Sequence, residues 1–140
     1  MMNRAEQIVH HMLANDAFSQ WLGIKVEETK PGYARLTMTC RPEMTNGFAV
    51  AHGGITYALA DSALAFASNG YGLQAMSIET SISHTRPVKA GDKLSAEARE
   101  LNLSRRFGIY EVTVQNQLGK KVAHFKGTVF RSGNEWEIEE

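Results

Sequence analysis

The chain has 140 residues, 43% hydrophobic and 21% charged, which suits one soluble globular domain with one core. Its 15 Lys and Arg balance 15 Asp and Glu, and that neutrality argues against a duplex-binding protein, which carries a basic surplus. A single cysteine, Cys40, excludes an intrachain disulfide, and the N-terminus lacks an apolar stretch of signal-peptide length, so a cytoplasmic protein is expected.

Ile8, Val9, Met12 and Leu13 recur at helical spacing and predict an amphipathic helix over residues 3–14. Asn15 or Asp16 then caps a short helical turn running to Leu22. Ile24, Val26 and Glu28 alternate with their neighbours as a strand. Pro31 and Gly32 make a tight turn, and Leu36, Met38 and Cys40 complete a hairpin. Residues 41–54 read as a Gly-rich loop. A long apolar helix follows from about Gly54 to Asn69, stopped by Gly70 and Gly72. Only strand patterns come after it. Met76, Ile78, Thr80 and Ile82 alternate with Ser77, Glu79, Ser81 and Ser83. Further strands are expected around Leu94–Ala98, Tyr110–Val114 and Val122–Arg131, followed by a loose acidic tail, SGNEWEIEE. Without repeats or linkers, residues 1–140 are expected to form a single domain.

The central helix poses the chemical question. Its apolar run, Tyr57 to Ala67, is too short to cross a bilayer and is interrupted by one carboxylate, Asp61. A carboxylate among apolar neighbours is costly unless it is partnered or protonated, and such groups concentrate at functional sites. The helix opens with His52, Gly53 and Gly54. N–H groups there lack intrahelical partners and carry the positive end of the helix dipole, while glycine admits close approach. A carbonyl docked on the Gly53 N–H would be polarised in the manner of an oxyanion hole. Eight residues separate Gly53 from Asp61, roughly 12 Å along the axis. Both cannot act on one carbonyl carbon within one chain. Two such helices packed antiparallel in a two-fold dimer would bring them together twice.

The segment NGFAVAHGGITYALADSALAFAS resembles the central helix of the hotdog-fold thioesterases, closest to the phenylacetate-degradation (PaaI-type) subfamily. The resemblance extends through TRPVKAGDKL to KVAHFKGTVF. It implies an α+β hotdog fold, a curved antiparallel sheet wrapped around one long helix. The activity implied is hydrolysis of acyl-CoA, with aryl or arylacetyl groups favoured and no metal or other cofactor, in a homodimer or a homotetramer built from two dimers. By the same resemblance, Asp61 acts as general base or nucleophile, Gly53 polarises the carbonyl across the dimer interface, Asn46 helps hold it and His52 supports the loop. In some relatives a serine on the following strand orients the attacking water, and Ser77 falls at that position.

Coenzyme A carries phosphates. Arg105 and Arg106 on one turn, and Lys89 and Lys93 near another, are candidates to bind them, as is Arg86, which could instead close a strand end. Taken singly, each reads slightly better as a solvated surface charge. The five histidines form no metal-ligand spacing, no G-x-S-x-G motif is present, and Cys40 fits a core position. An acyl-thioester dehydratase or hydratase on the same fold, or a non-catalytic acyl-CoA sensor, are the alternatives to a thioesterase.

Overall fold

A computed structural model describes residues 1–138. Two helices, α1 (Arg4–Ala14) and α2 (Ala17–Leu22), precede the hairpin of β1 (Lys25–Lys30) and β2 (Tyr33–Thr39). A short 3-10 turn at Pro42–Met44 leads to the long helix α3 (Gly53–Asn69). Four strands follow: β3 (Leu73–His84), β4 (Lys93–Leu103), β5 (Phe107–Gln115) and β6 (Lys121–Glu135). They form one antiparallel sheet in the order β1-β2-β4-β5-β6-β3. No helix among the described residues is long and apolar enough to cross a membrane.

The helix boundaries follow their caps. Asn3 accepts the Glu6 N–H at 2.9 Å and starts α1. Of the two candidate caps for α2, Asp16 does the work: its carboxylate accepts the Ser19 N–H at 3.0 Å, and Gly23 ends the helix in the left-handed region. Helix α3 begins one residue earlier than expected, because His52 caps it with its own ring.

Helix α3 lies in the concave face of the sheet. Leu59, Ala60, Ala63, Leu64, Phe66 and Ala67 are buried against Leu36, Leu94, Tyr110, Val112 and Phe125. The β1–β2 turn is fastened to the helix by the Gly32 N–H donating to the Ala67 carbonyl at 3.1 Å. Gly70 passes so close to that turn that a Cβ there would lie 3.1 Å from the Lys30 oxygen. This is the hotdog arrangement.

Two expectations are corrected. The alternation expected along β3 does not persist, because a bulge falls between Ser77 and Glu79. Before it Ala75 and Ser77 face the helix, paired beside the inward side of β6. After it Thr80 and Ile82 do, opposite Gly127 and Phe125. Met76 and Ile78 are therefore 74% and 60% exposed on an edge strand. Nor is the tail loose as far as Trp136. Strand β6 runs to Glu135, the Trp136 N–H donates to the Gly72 carbonyl at 2.8 Å, and the Arg4 guanidinium donates to the Trp136 carbonyl. Glu139 and Glu140 lie outside the described residues.

Asn69 joins these parts. Its side chain, 1% exposed, accepts from the Ala75 N–H and the Trp136 indole and donates to the Ala65 and Ala75 carbonyls. Removing it leaves several buried groups unpaired, and each unpaired group costs free energy. Asn69→Ala should destabilise the fold by roughly 2–3 kcal/mol in urea unfolding. An unchanged midpoint would show that the network contributes nothing.

Candidate functional site

The loop before α3 is ordered around Asn46. Its side-chain oxygen accepts the Phe48 N–H at 2.9 Å, and its backbone bonds Val50 and Ala49. The Asn46 amide nitrogen keeps its donors, since no acceptor meets it among the described residues. The chain then enters the helix at His52, whose N–H donates to the Met44 carbonyl at 2.8 Å. His52 Nδ1 accepts the Gly54 N–H at 2.9 Å, and the Ile55 N–H goes to the His52 carbonyl. Among the described residues the Gly53 N–H has no acceptor. The cap therefore satisfies the donors on one side and leaves a single N–H at the positive end of the helix dipole. His52 and Gly54 face a different cleft from Gly53, one they share with Phe18 and Trp21.

Gly53 opens on a cleft of about 350 Å³ lined by Thr56, His84, Arg86 and Val88, among others. Asp61 opens on another, of about 370 Å³, together with Ser77, Met12, Met76, Gln74 and Trp136. The bulge at Ile78 is what turns Ser77 toward Asp61. Asp61 is half-buried in the stripe of Ala58, Asp61 and Ala65, the partly uncovered side of α3. No hydrogen bond or ion pair reaches its carboxylate among the described residues. Burial holds its pKa above the ordinary aspartate value, and the negative charge of Asp16 adds to this. Asp16 approaches through a relay: the Ser19 hydroxyl donates to its carboxylate at 2.6 Å and meets the Ser62 hydroxyl at 2.8 Å.

The basic candidates divide between the two ends of the sheet. Arg86 lines the Gly53 cleft, and Lys89 sits in the nearby turn whose backbone N–H donates to Asp92. Lys93 starts β4 at that end, opposite Thr39. Arg105 and Arg106 lie in the β4–β5 turn closed by Ser104 and Phe107. Phe107 pairs with Phe130 and Phe130 with Met76, so this turn is at the Asp61 end. His84, which the sequence pattern did not single out, stands against Gly53. The turn of register at Ile78 brings it inward opposite Ala123.

Residues 48–123 match the thioesterase superfamily. The acyl-coenzyme A thioesterase PaaI of Escherichia coli is 39% identical over 133 residues, 95% of each chain. The solved structure of the E. coli PaaI protein, from the phenylacetic acid degradation operon, superposes with a TM-score of 0.92 and covers 94% of this chain and 96% of that one. An Archaeoglobus fulgidus protein is 40% identical over 126 residues, 90% of this chain and 82% of its own. A Streptococcus mutans protein solved with acetyl CoA is 27% identical with a TM-score of 0.78, covering 81% of this chain and 91% of that one.

The raised pKa of Asp61 has a sign for stability. A carboxyl whose folded pKa exceeds its unfolded value favours folding while protonated, and the fold loses stability as pH rises past the unfolded value. Asp61→Asn should therefore raise Tm at pH 7. In Asp16→Asn, which keeps the oxygen that caps α2, the Asp61 carboxyl should titrate at lower pH by NMR. An unmoved titration would remove Asp16 as a cause.

Proposed function

The chain belongs to the thioesterase superfamily, and we propose that it hydrolyses acyl-CoA at a site completed by a second copy of itself. Its reaction class, hydrolysis of a thioester bond, follows from that membership. The observation that carries the proposal is the separation on one helix of an unpartnered N–H at Gly53 and an unpartnered carboxylate at Asp61, each facing its own cleft.

Two antiparallel copies of α3 would set Gly53 of one protomer against the partner subunit's Asp61. The thioester oxygen docks on the Gly53 N–H, with the Asn46 amide as a second donor. His52 keeps the corner in shape by holding the Gly54 N–H. The carboxylate takes a proton from water as the water attacks, and Ser77, on the same cleft, donates to that water. Ser77 favours this general-base route over direct attack by the carboxylate, since it anchors a water beside it. The intermediate then expels the CoA thiolate, which recovers the proton. No cofactor is needed, because a thioester carbonyl is already electrophilic and one base and one oxyanion site suffice.

Two features support the pairing. The stripe of Ala58, Asp61 and Ala65 leaves α3 partly uncovered, and β3 is an edge strand with exposed Met76 and Ile78. Unprotected apolar edges are natural pairing surfaces. The same two-fold relation would carry the partner's Arg105 and Arg106 toward Arg86, Lys89 and Lys93, gathering cations for the CoA phosphates, whereas Gly54 faces the other cleft with its N–H held by His52. The phenylacetic acid degradation operon of the E. coli relative supports an aryl or arylacetyl acyl group, and we further propose a tetramer of two dimers in the cytoplasm.

The shared site has a decisive test. Gly53 is the first helical residue and His52 is extended at φ −57°, ψ 138°, so proline at position 53 keeps the helix start, deletes the N–H and sets a Cβ 3.2 Å from His84 Nε2. Asp61→Ala and Gly53→Pro should each lower kcat by about a hundredfold or more, read as free-thiol release. Mixed and re-associated, the two variants should regain about a quarter of wild-type activity, since half the dimers then hold one intact site. No recovery would place both groups in separate sites. Arg105→Ala with Arg106→Ala should raise KM for CoA esters and leave short thioesters unaffected; an equal effect on both would remove the phosphate role.

A further inference from the structure

His84 faces the Gly53 cleft, and its chemistry there is defined by what its other nitrogen does. Thr56 is 3% exposed, and its hydroxyl donates to the Gly53 carbonyl at 3.2 Å. That uses its only hydrogen. With that hydrogen assigned to the Gly53 carbonyl, the second contact of the same oxygen, 3.2 Å to His84 Nδ1, is donated by the ring. Neutral His84 is thus the Nδ1–H tautomer, and Nε2 carries a bare lone pair. Nε2 lies 3.2 Å from the point a Cβ on Gly53 would occupy and meets no protein donor among the described residues. In a helix that Cβ direction tilts toward the N-terminus, the side on which the free Gly53 N–H also points.

A lone pair beside a docked carbonyl oxygen would oppose the charge that develops there, so the group Nε2 binds must be a donor. The acyl carbonyl offers none. The attacking water offers two, and the carboxylate takes only one of them.

We infer that His84 is a further catalytic residue of this site, its Nε2 accepting the second O–H of the attacking water. The inference rests on the shared thioesterase site proposed above. Ser77 donates to one lone pair of that water, Asp61 and His84 accept its two hydrogens, and the remaining lone pair is aimed at the carbonyl carbon. As the C–O bond forms, one proton passes to the carboxylate and the other stays on oxygen, hydrogen-bonded to Nε2. The C–S bond then breaks, and the thiolate takes the proton held by the carboxyl. His84 gains and loses no proton.

The test uses the full-length protein with phenylacetyl-CoA and with a phenylacetyl thioester of thiophenol, which lacks the pantetheine amides. His84→Asn retains an amide for Thr56 and loses the Nε2 acceptor. Its kcat should fall about tenfold or more on both substrates with KM little changed. His84→Gln can return an oxygen to the Nε2 position and should recover most of that loss. Because His84 is exposed at its rim, both variants should keep the wild-type Tm. Wild-type kcat in His84→Asn, alongside an inactive Asp61→Asn, would overturn the role of His84 and leave the base intact. An active Asp61→Asn would instead overturn the shared site. A KM rise confined to the CoA ester would assign Nε2 to a pantetheine amide and also overturn the proposal.

Discussion

A helix apolar on nearly every side has to be covered on nearly every side, and one six-stranded sheet cannot do it. Sheet, turns and α1 bury most of α3. They leave one stripe, Ala58, Asp61 and Ala65, half open. The residues there are small, so something else can approach closely, and the one large polar group among them has no partner of its own. The unfinished cover and the unpartnered carboxylate are the same feature. A monomer would carry a desolvated charge with nothing in return. A second copy would both close the stripe and give the carboxylate work to do.

The bulge at Ile78 belongs to the same constraint. A strand of strict alternation with Met76 and Ile78 on the helix would have left Ser77 to solvent. One extra residue at Ile78 shifts the phase, so that Ala75 and Ser77 face the helix before it and Thr80, Ile82 and His84 after it. It brings Ser77 to Asp61 at one end of the helix and His84 to Gly53 at the other, and it turns two large apolar side chains out along the sheet edge. A local insertion thus supplies polar groups to both clefts and an apolar surface for pairing.

Much of this was legible in the sequence. The elements, their order, the turn at Pro31–Gly32 and the two ends of α3 follow from periodicity, caps and glycines, which act over a few residues. The Gly53 and Asp61 pair was visible because spacing along a helix converts directly into distance. What stayed hidden depends on contacts between distant segments. No local pattern announces the bulge, so the facing of Met76, Ser77 and Ile78 was lost, while Thr80 and Ile82 lie on the face expected for them. The tail looked unstructured because its acidic residues are what composition shows, while Trp136 is tied to Asn69, 67 positions earlier. His84 was passed over because its significance is a neighbour on another element. The division of the basic residues between the two sheet ends likewise needs the register of β3, β5 and β6.

The start of α3 shows how the chemistry is selected at the level of single donors. A helix N-terminus presents several free N–H groups, and left alone they would bind water without preference. Here His52 takes the Gly54 N–H, and its carbonyl takes that of Ile55. Thr56 fixes the Gly53 carbonyl from below. The peptide that remains is pinned on both sides yet has its N–H open to one cleft. Glycine leaves room there: a Cβ would lie 3.2 Å from His84 Nε2, a tight contact. A side chain at position 53 would push the ring that bounds the pocket by a few tenths of an ångström and crowd the approach to the N–H. The preorganised donor and the acceptor beside it are held by the same few contacts, and disturbing either alters the geometry of both.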